Sequence, residues 1–185
     1  MATDRARLRR LRTDELTPSE IADIRDLLWA AFGDDEEKSF EEHDWEHALG
    51  GMHFVLDLDG TVIGHASVVD REIHIGDLAP RTGYVEAVAV APDHQGSGFG
   101  SVLMGDVGSW IRERYELGAL GTGRHAFYQR LGWRTWVGPS SVRTAGGTQR
   151  TPDEDGYILV LETPPSPSLD LSAPISCEWR SGDVW

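Results

Sequence analysis

A chain of 185 residues with 39% hydrophobic side chains and seven tryptophans is long enough for one well-buried domain and short for two of ordinary size. Seventeen Lys and Arg against 31 Asp and Glu leave a net charge of −14, which speaks against nucleic acid as a partner and permits a cationic ligand. The lone Cys177 excludes an internal disulfide and no window approaches the ~20 apolar residues of a membrane span, so a soluble, cytoplasmic protein without a membrane partner is expected.

The charged start "MATDRARLRRLRTDEL" has no signal-peptide core. After a first strand, "TPSEIADIRDLLWAAFG" predicts a helix capped by Thr17, with Pro18 in its first turn, Glu20 completing a capping box and Gly33 as its stop. Ile21, Ile24, Leu27, Leu28, Ala31 and Phe32 form its apolar face. The acidic run "DDEEKSFEEHDWEHALGG" reads as a loop and a short helix with Ser39 as cap, Glu42 at the third position and Gly50-Gly51 as its stop.

Met52, Phe54, Leu56 and Leu58 alternate, Asp59-Gly60 makes a tight turn, and "TVIGHASVV" returns as the partner strand. A second strand pair spans "REIHIGDLAPRTGYVEAVAV". Beyond the glycines of "HQGSGFGS" the chain predicts a helix with Val102, Leu103, Val107, Trp110, Ile111 and Tyr115 as its stripe, stopped by Gly118. A buried strand "LGALGT", a helix "GRHAFYQRLGW" and a strand "YILVL" follow. The Pro- and Ser-rich stretch from Glu162 is an extended connector, and the bulky end of "ISCEWRSGDVW" packs back on the body. The expectation is a mixed α/β fold in a single domain, 1–185, with 163–185 as an extended C-terminal segment.

Gly96, Gly98 and Gly100 follow a buried strand and open a helix. Their G-x-G-x-G spacing is not the dinucleotide fingerprint, no lysine makes a Walker loop, and no catalytic loop supports a kinase. What the pattern provides is main-chain N–H groups unobstructed by Cβ atoms, aimed with a helix N-terminus at an anion such as a pyrophosphate. A glycine-rich turn that exists only for packing is the plainer alternative. His53, His65 and His74 lie on strands without metal-ligand spacing and read as structural or surface residues, so no metal is expected. Cys177 has no accompanying base and reads as a core residue.

Gln95-Gly96-Ser97-Gly98-Phe99-Gly100 fits the Q/R-x-x-G-x-G/A signature of the GCN5-related N-acetyltransferases, and "RHAFYQRLGW" is similar to a later segment of that family. "DWEHALGGMH", "GYVEAVAV", "YELGAL", "RTPDEDG" and "WRSGDVW", in that order, resemble the mycobacterial-type aminoglycoside 2′-N-acetyltransferases. The resemblance implies a mostly antiparallel mixed sheet, splayed at the acetyl-CoA site and flanked by helices. It implies acetyl-CoA as cosubstrate, bound through Gln95, Gly96, Ser97, Gly98, Phe99, Gly100 and Ser101 with the main chain of Val88 and Val90. It also implies a cationic aminoglycoside as acceptor and a homodimer.

A carboxylate in the apolar run "GYVEAVAV" is costly unless paired or open to a polar cleft. Glu86 is therefore either half of a structural ion pair or the group that takes the amine's proton and helps hold the substrate. By the resemblance, Tyr128 protonates the departing thiolate; by periodicity alone it is a core aromatic. Acids at Asp34, Asp35, Asp153, Glu154, Asp155 and Asp183, with the Trp185 carboxylate, suit a polyammonium ligand, whereas some of Glu36, Glu37, Glu41 and Glu42 read as solvated loop. The resemblance assigns drug contact to Asp35, Glu154, Asp183 and Trp185. A polyamine or a cell-wall amino or hydroxy sugar is the alternative acceptor, and a non-catalytic acetyl-CoA-binding module the alternative class.

Overall fold

A computed structural model describes residues 6–33 and 40–185. The chain divides into two compact units, Met1–Val69 with Val85–Val107, and Asp70–Tyr84 with Gly108–Trp185. Among the described residues, no helix is long and apolar enough to cross a membrane.

In the first unit, β1 (Ala6–Arg12), β2 (Met52–Leu58) and β3 (Thr61–Glu72) pair antiparallel in succession, with the later part of β5 (Arg81–Val90) next in order. Asp59 and Gly60 join β2 to β3 with φ of +50° and +86°, the left-handed pair that matches the twist of a two-residue hairpin. Helix α1 (Pro18–Phe32) begins as its capping residues dictate: the Glu20 N–H donates to Thr17 Oγ1 at 3.2 Å, and the Thr17 N–H donates back to Glu20 Oε2 at 2.9 Å. Glu20 also pairs with Arg9, and these bonds hold its carboxyl down at about 2.

Ile24, Leu27 and Leu28 of α1 are buried with Leu16, Val55, Ala89 and Trp45. Trp45 belongs to α2 (Glu42–His47), which starts later than its sequence predicts: the capping bond runs from the Glu41 N–H to Asp44 Oδ2 at 2.8 Å. Ser39, the expected cap, lies outside the described residues.

Helix α3 (Phe99–Arg114) turns Leu103, Met104, Val107 and Ile111 inward. Val102, placed in the stripe by sequence, is 56% exposed, since a 3.6-residue period puts it on the opposite side from those four. The helix also ends before Gly118, which instead sits within β6 (Leu117–Gly121). A Cβ there would come within 3.0 Å of Leu161 and 3.1 Å of Ile111, so close packing rather than helix termination requires the glycine.

In the second unit, the start of β5 pairs parallel with β6 from Thr82 to Tyr84, β6 pairs antiparallel with β10 (Ile158–Glu162), and β10 with β7 (Arg134–Thr135). Helix α4 (His125–Gln129) lies between β6 and β7 in sequence. The segments β4 (His74–Ile75), β8 (Ser140–Thr144), β9 (Gly147–Arg150) and β11 (Ile175–Glu178) form a second sheet in the order β4-β11-β8-β9. β7, β8, β9 and β11 have no counterpart in the sequence-derived order.

The tail is held from β3. Arg71, 6% exposed, donates from Nη1 to the Val184 carbonyl (2.9 Å), from Nη2 to the Glu178 carbonyl (3.0 Å) and from Nε to Glu178 Oε1 (3.2 Å), and its guanidinium lies 4.8 Å from the Tyr84 ring centroid. Burial pushes the Cys177 thiol up to about 11, and its Sγ lies 3.1 Å from the Val184 carbonyl. A thiol held protonated in this way is a packing group, not a nucleophile.

Replacing Thr17 by Ala is expected to cost about 1 kcal/mol, read as a fall in the urea midpoint at constant slope. Replacing Arg71 by Met should cost about 3 kcal/mol and speed removal of 179–185 by carboxypeptidase, because the acceptors at 178 and 184 lose their donor. Arg71→Lys should not restore the tail, since an ammonium cannot reproduce the planar fork.

Candidate functional site

In the first unit, β5 leaves the regular extended form at Ala87, whose φ is +50°. Glu86, Ala87 and Val88 are all half-buried, in place of the usual alternation, and Ala89 is buried again. Glu86 and Val88 thus flank the irregularity at Ala87. At the strand's end, Gln95 Nε2 donates to the Val90 carbonyl at 3.0 Å and ties the following turn to it.

The turn itself is open. Gly96 and Gly98 adopt φ of +76° and +88°, a region that only glycine enters without strain, and a Cβ at either would meet nothing within 4 Å. The chain from Gln95 to Gly98 is exposed, and Phe99 and Gly100 begin α3. The N–H groups of Ser101 and Val102 donate to the Gly98 carbonyl, whereas those of Gly96 through Gly100 have no backbone acceptor among the described residues. A row of undirected amides at the positive end of a 16-residue helix fits a diphosphate.

In the second unit, Tyr128 of α4 is 6% exposed, packed edge-on against Phe127 and Trp133 at centroid distances of 4.9 and 6.1 Å. Burial raises its phenol to about 12, with Arg124 pulling the other way. The group stays protonated through the whole working range of pH.

The acids of "TPDEDG" separate into two kinds. Asp155 accepts from the Ser140 N–H and hydroxyl, both at 2.8 Å, and from Arg150 Nη2 at 2.7 Å, which lowers its pKa and commits it to the fold. Glu154 has its pKa raised, first by burial and then by Asp183 and Asp153. Asp183 is exposed and its Oδ1 accepts the Trp185 N–H at 3.1 Å. The Trp185 ring is buried, with Nε1 donating to Thr151 Oγ1 at 3.0 Å, and a Cβ at Gly121 would lie 3.8 Å from the Trp185 main-chain oxygen. Glu154 and Asp183 are therefore electrostatically coupled, while Asp155 is spoken for. Asp34 and Asp35 lie outside the described residues. Among the described residues, no group of three His, Cys, Asp or Glu is placed to hold a metal ion.

Reasoning from sequence did not single out Arg71, which anchors the tail, and it read His53 and His65 one by one, not as a buried pair. The signal for Arg71 was its phase. It shares the parity of the inward residues Val69 and Ile73, between exposed Asp70 and Glu72.

Residues 21–133 match the Acetyltransferase (GNAT) family. An aminoglycoside 2′-N-acetyltransferase of Mycolicibacterium fortuitum is 41% identical over 96% of this chain and 91% of its own. Among solved structures, a GNAT family N-acetyltransferase from Escherichia coli in complex with CoA superposes with a TM-score of 0.64 at 17% identity, covering 96% of this chain and 92% of that one. A GNAT family acetyltransferase from Brucella melitensis in complex with acetyl-CoA gives 0.61 at 20% identity, covering 90% and 93%. A GCN5-related N-acetyltransferase from Kribbella flavida gives 0.57 at 22% identity over 72% of this chain, which spans only 34% of that longer protein. The expected mixed, mostly antiparallel fold is thereby met, and the chain belongs to the GNAT acetyltransferase family and is an acyltransferase.

Proposed function

We propose that this enzyme acetylates the 2′-amino group of aminoglycosides by direct transfer from acetyl-CoA in a ternary complex. The observation that carries the substrate reading is the Glu154–Asp183 coupling, supported by the 41% identical relative that bears this activity in its name. The negative charge of Asp183 that opposes ionisation of Glu154 is offset when a polycation binds, so part of the repulsion felt at Glu154 in the free enzyme becomes affinity.

In this reading the amides of 96–101 hold the pyrophosphate and the main chain of Val88 and Val90 aligns the thioester. The ammonium first loses a proton to Glu86, through a water. Its nitrogen lone pair then adds to the thioester carbonyl, and the Val88 N–H stabilises the oxyanion. The carbon–sulfur bond breaks, the thiolate takes its proton from Tyr128, and the second proton that the nitrogen sheds on becoming an amide returns the tyrosine to its neutral form through solvent. The products are an amide, free CoA thiol and one released proton.

A phenol at about 12 is always loaded with its proton, but against a thiol of ordinary pKa about 8.5 the transfer runs uphill. The same desolvation that raises Tyr128 raises a departing thiolate, which narrows the gap. Trp185 and Asp183, fixed by Arg71 and by the Asp183–Trp185 bond, present the terminal carboxylate and an acid to the drug.

Thiol release should occur with tobramycin and fail with a drug bearing a 2′-hydroxyl. Turnover of polyamines or amino sugars alone would move the acceptor class, and acetyl-CoA binding without turnover would make the protein a sensor. Tyr128→Phe should lower kcat about 10²-fold with coenzyme affinity retained, and deletion of Trp185 should raise the drug KM. The drug KM should also rise as pH falls through the elevated Glu154 pKa, because protonation removes a charge that attracts the cation. Glu154→Gln should raise KM at neutral pH and flatten that dependence.

A further inference from the structure

Two histidines are buried where the chemistry described above does not use them. His53 of β2 and His65 of β3 are both 0% exposed. In the β2–β3 register His53 lies opposite Ser67 and His65 opposite Val55, so the two imidazoles are diagonal neighbours on one face. Trp45 of α2 covers them, with its ring centroid 6.0 Å from His53 and 6.3 Å from His65.

Their contacts make a continuous chain. The Gly50 N–H donates to Thr13 Oγ1 (2.8 Å), Thr13 Oγ1 meets His53 Nε2 (2.8 Å), His53 Nδ1 meets His65 Nε2 (3.0 Å), and His65 Nδ1 meets the Ala87 carbonyl (2.8 Å). Both ends have a single possible role, since an amide N–H only donates and a carbonyl only accepts. Every proton between them follows. His65 must carry its proton on Nδ1 to donate to Ala87, which leaves Nε2 to accept. His53 must then donate from Nδ1 and accept at Nε2 from the Thr13 hydroxyl. Both rings are neutral Nδ1–H tautomers, and a second proton on either would set two N–H groups against each other or against the hydroxyl proton. Burial lowers His53 to about 4 and His65 to about 3, so neither takes that proton near neutrality.

The chain ends on the one residue of β5 that is out of conformation. A non-glycine residue at φ +50° costs about 1–3 kcal/mol and persists only where its surroundings hold it there. We propose that His53 and His65 are positioning residues for acetyl transfer, holding the Ala87 carbonyl and with it the kink that sets Glu86 and Val88. This rests on the reading of Glu86 and Val88 as working groups. In a regular strand those two would be spaced as i and i+2 on one face; the left-handed residue between them breaks that relation.

The test has arms that do not share a failure. In the wild-type protein at pH 7, imidazole 15N spectra should show Nδ1–H on both rings, unchanged on acidification to pH 5; an Nε2–H tautomer on either ring overturns the proposal. His65→Leu, which removes the donor to Ala87, should lower kcat on the order of 10²-fold without raising the acetyl-CoA KM, and should shift the Glu86 and Val88 amide resonances. His65→Asn, whose amide N–H approximates Nδ1, should recover most of both. A folded Leu variant with wild-type kcat or unmoved amides, or an Asn variant no better than Leu, refutes positioning. If the wild type acetylates no 2′-amino drug, the substrate reading fails alone, and the tautomers and amide shifts still decide this one. Should the Leu variant not fold, the tautomers and His65→Asn decide.

Discussion

The constraint on which the first unit turns is a left-handed alanine in the middle of a strand. Extended chain is the default for "GYVEAVAV", and Ala87 has a Cβ that opposes φ +50°. Two further left-handed residues follow within eleven positions, Gly96 and Gly98, and there the missing Cβ makes the conformation inexpensive. The turn can therefore hold its shape through local chemistry alone. The kink at Ala87 cannot, and its carbonyl is met by a side chain from the neighbouring strand rather than by local preference.

Charge acts by selection rather than by total. An excess of acids at −14 says only that a cation is welcome somewhere. Many of those acids are committed to the fold: Glu20 and Asp57 to Arg9, Asp106 to Arg10, Glu42 to Arg25, Asp155 to Arg150, Glu162 to Arg134. The exposed pairs among them, such as Arg134–Glu162 and Arg150–Asp155, contribute about 1 kcal/mol or less each. Glu154 differs because burial and like charge act on it in the same direction. Adjacent in sequence, Glu154 and Asp155 have opposite pKa shifts, set first by burial and then by Asp183 and Asp153 for one, and by Ser140 and Arg150 for the other.

That divergence marks the limit of reading the sequence. The cap of α1, the Asp59-Gly60 hairpin and the glycine turn rest on contacts between near neighbours, and all three are legible from the residues. The strands β7, β8, β9 and β11 are not: "GTQR" is exposed along its length, and "ISCE" finds its place by pairing with Ser140–Arg143, more than thirty residues away. Gly118 was misread as a helix stop because its true reason, the closeness of Ile111 and Leu161, is a tertiary one. His53 and His65 read as unremarkable structural histidines because each strand alone shows only one of them.

One principle accounts for His65 and Arg71, two of the polar residues buried in β3. His65 donates to the carbonyl of Ala87, where a strand is kinked, and Arg71 donates to the carbonyls of Glu178 and Val184, where the chain leaves β11 for its terminus. At both places the chain departs from regular structure, and a buried carbonyl there still requires a donor. Supplying it from a side chain is costly in an apolar strand, so it is tolerated where the irregular shape has a use. In each unit the shape so held is one the acetyltransferase reading calls upon: the bend beside Glu86, and the path that brings Asp183 and Trp185 to their places. β3 thus carries two separate fasteners, and their spacing of six residues keeps them on the same parity of the strand, the parity of Ile63, Ser67 and Val69.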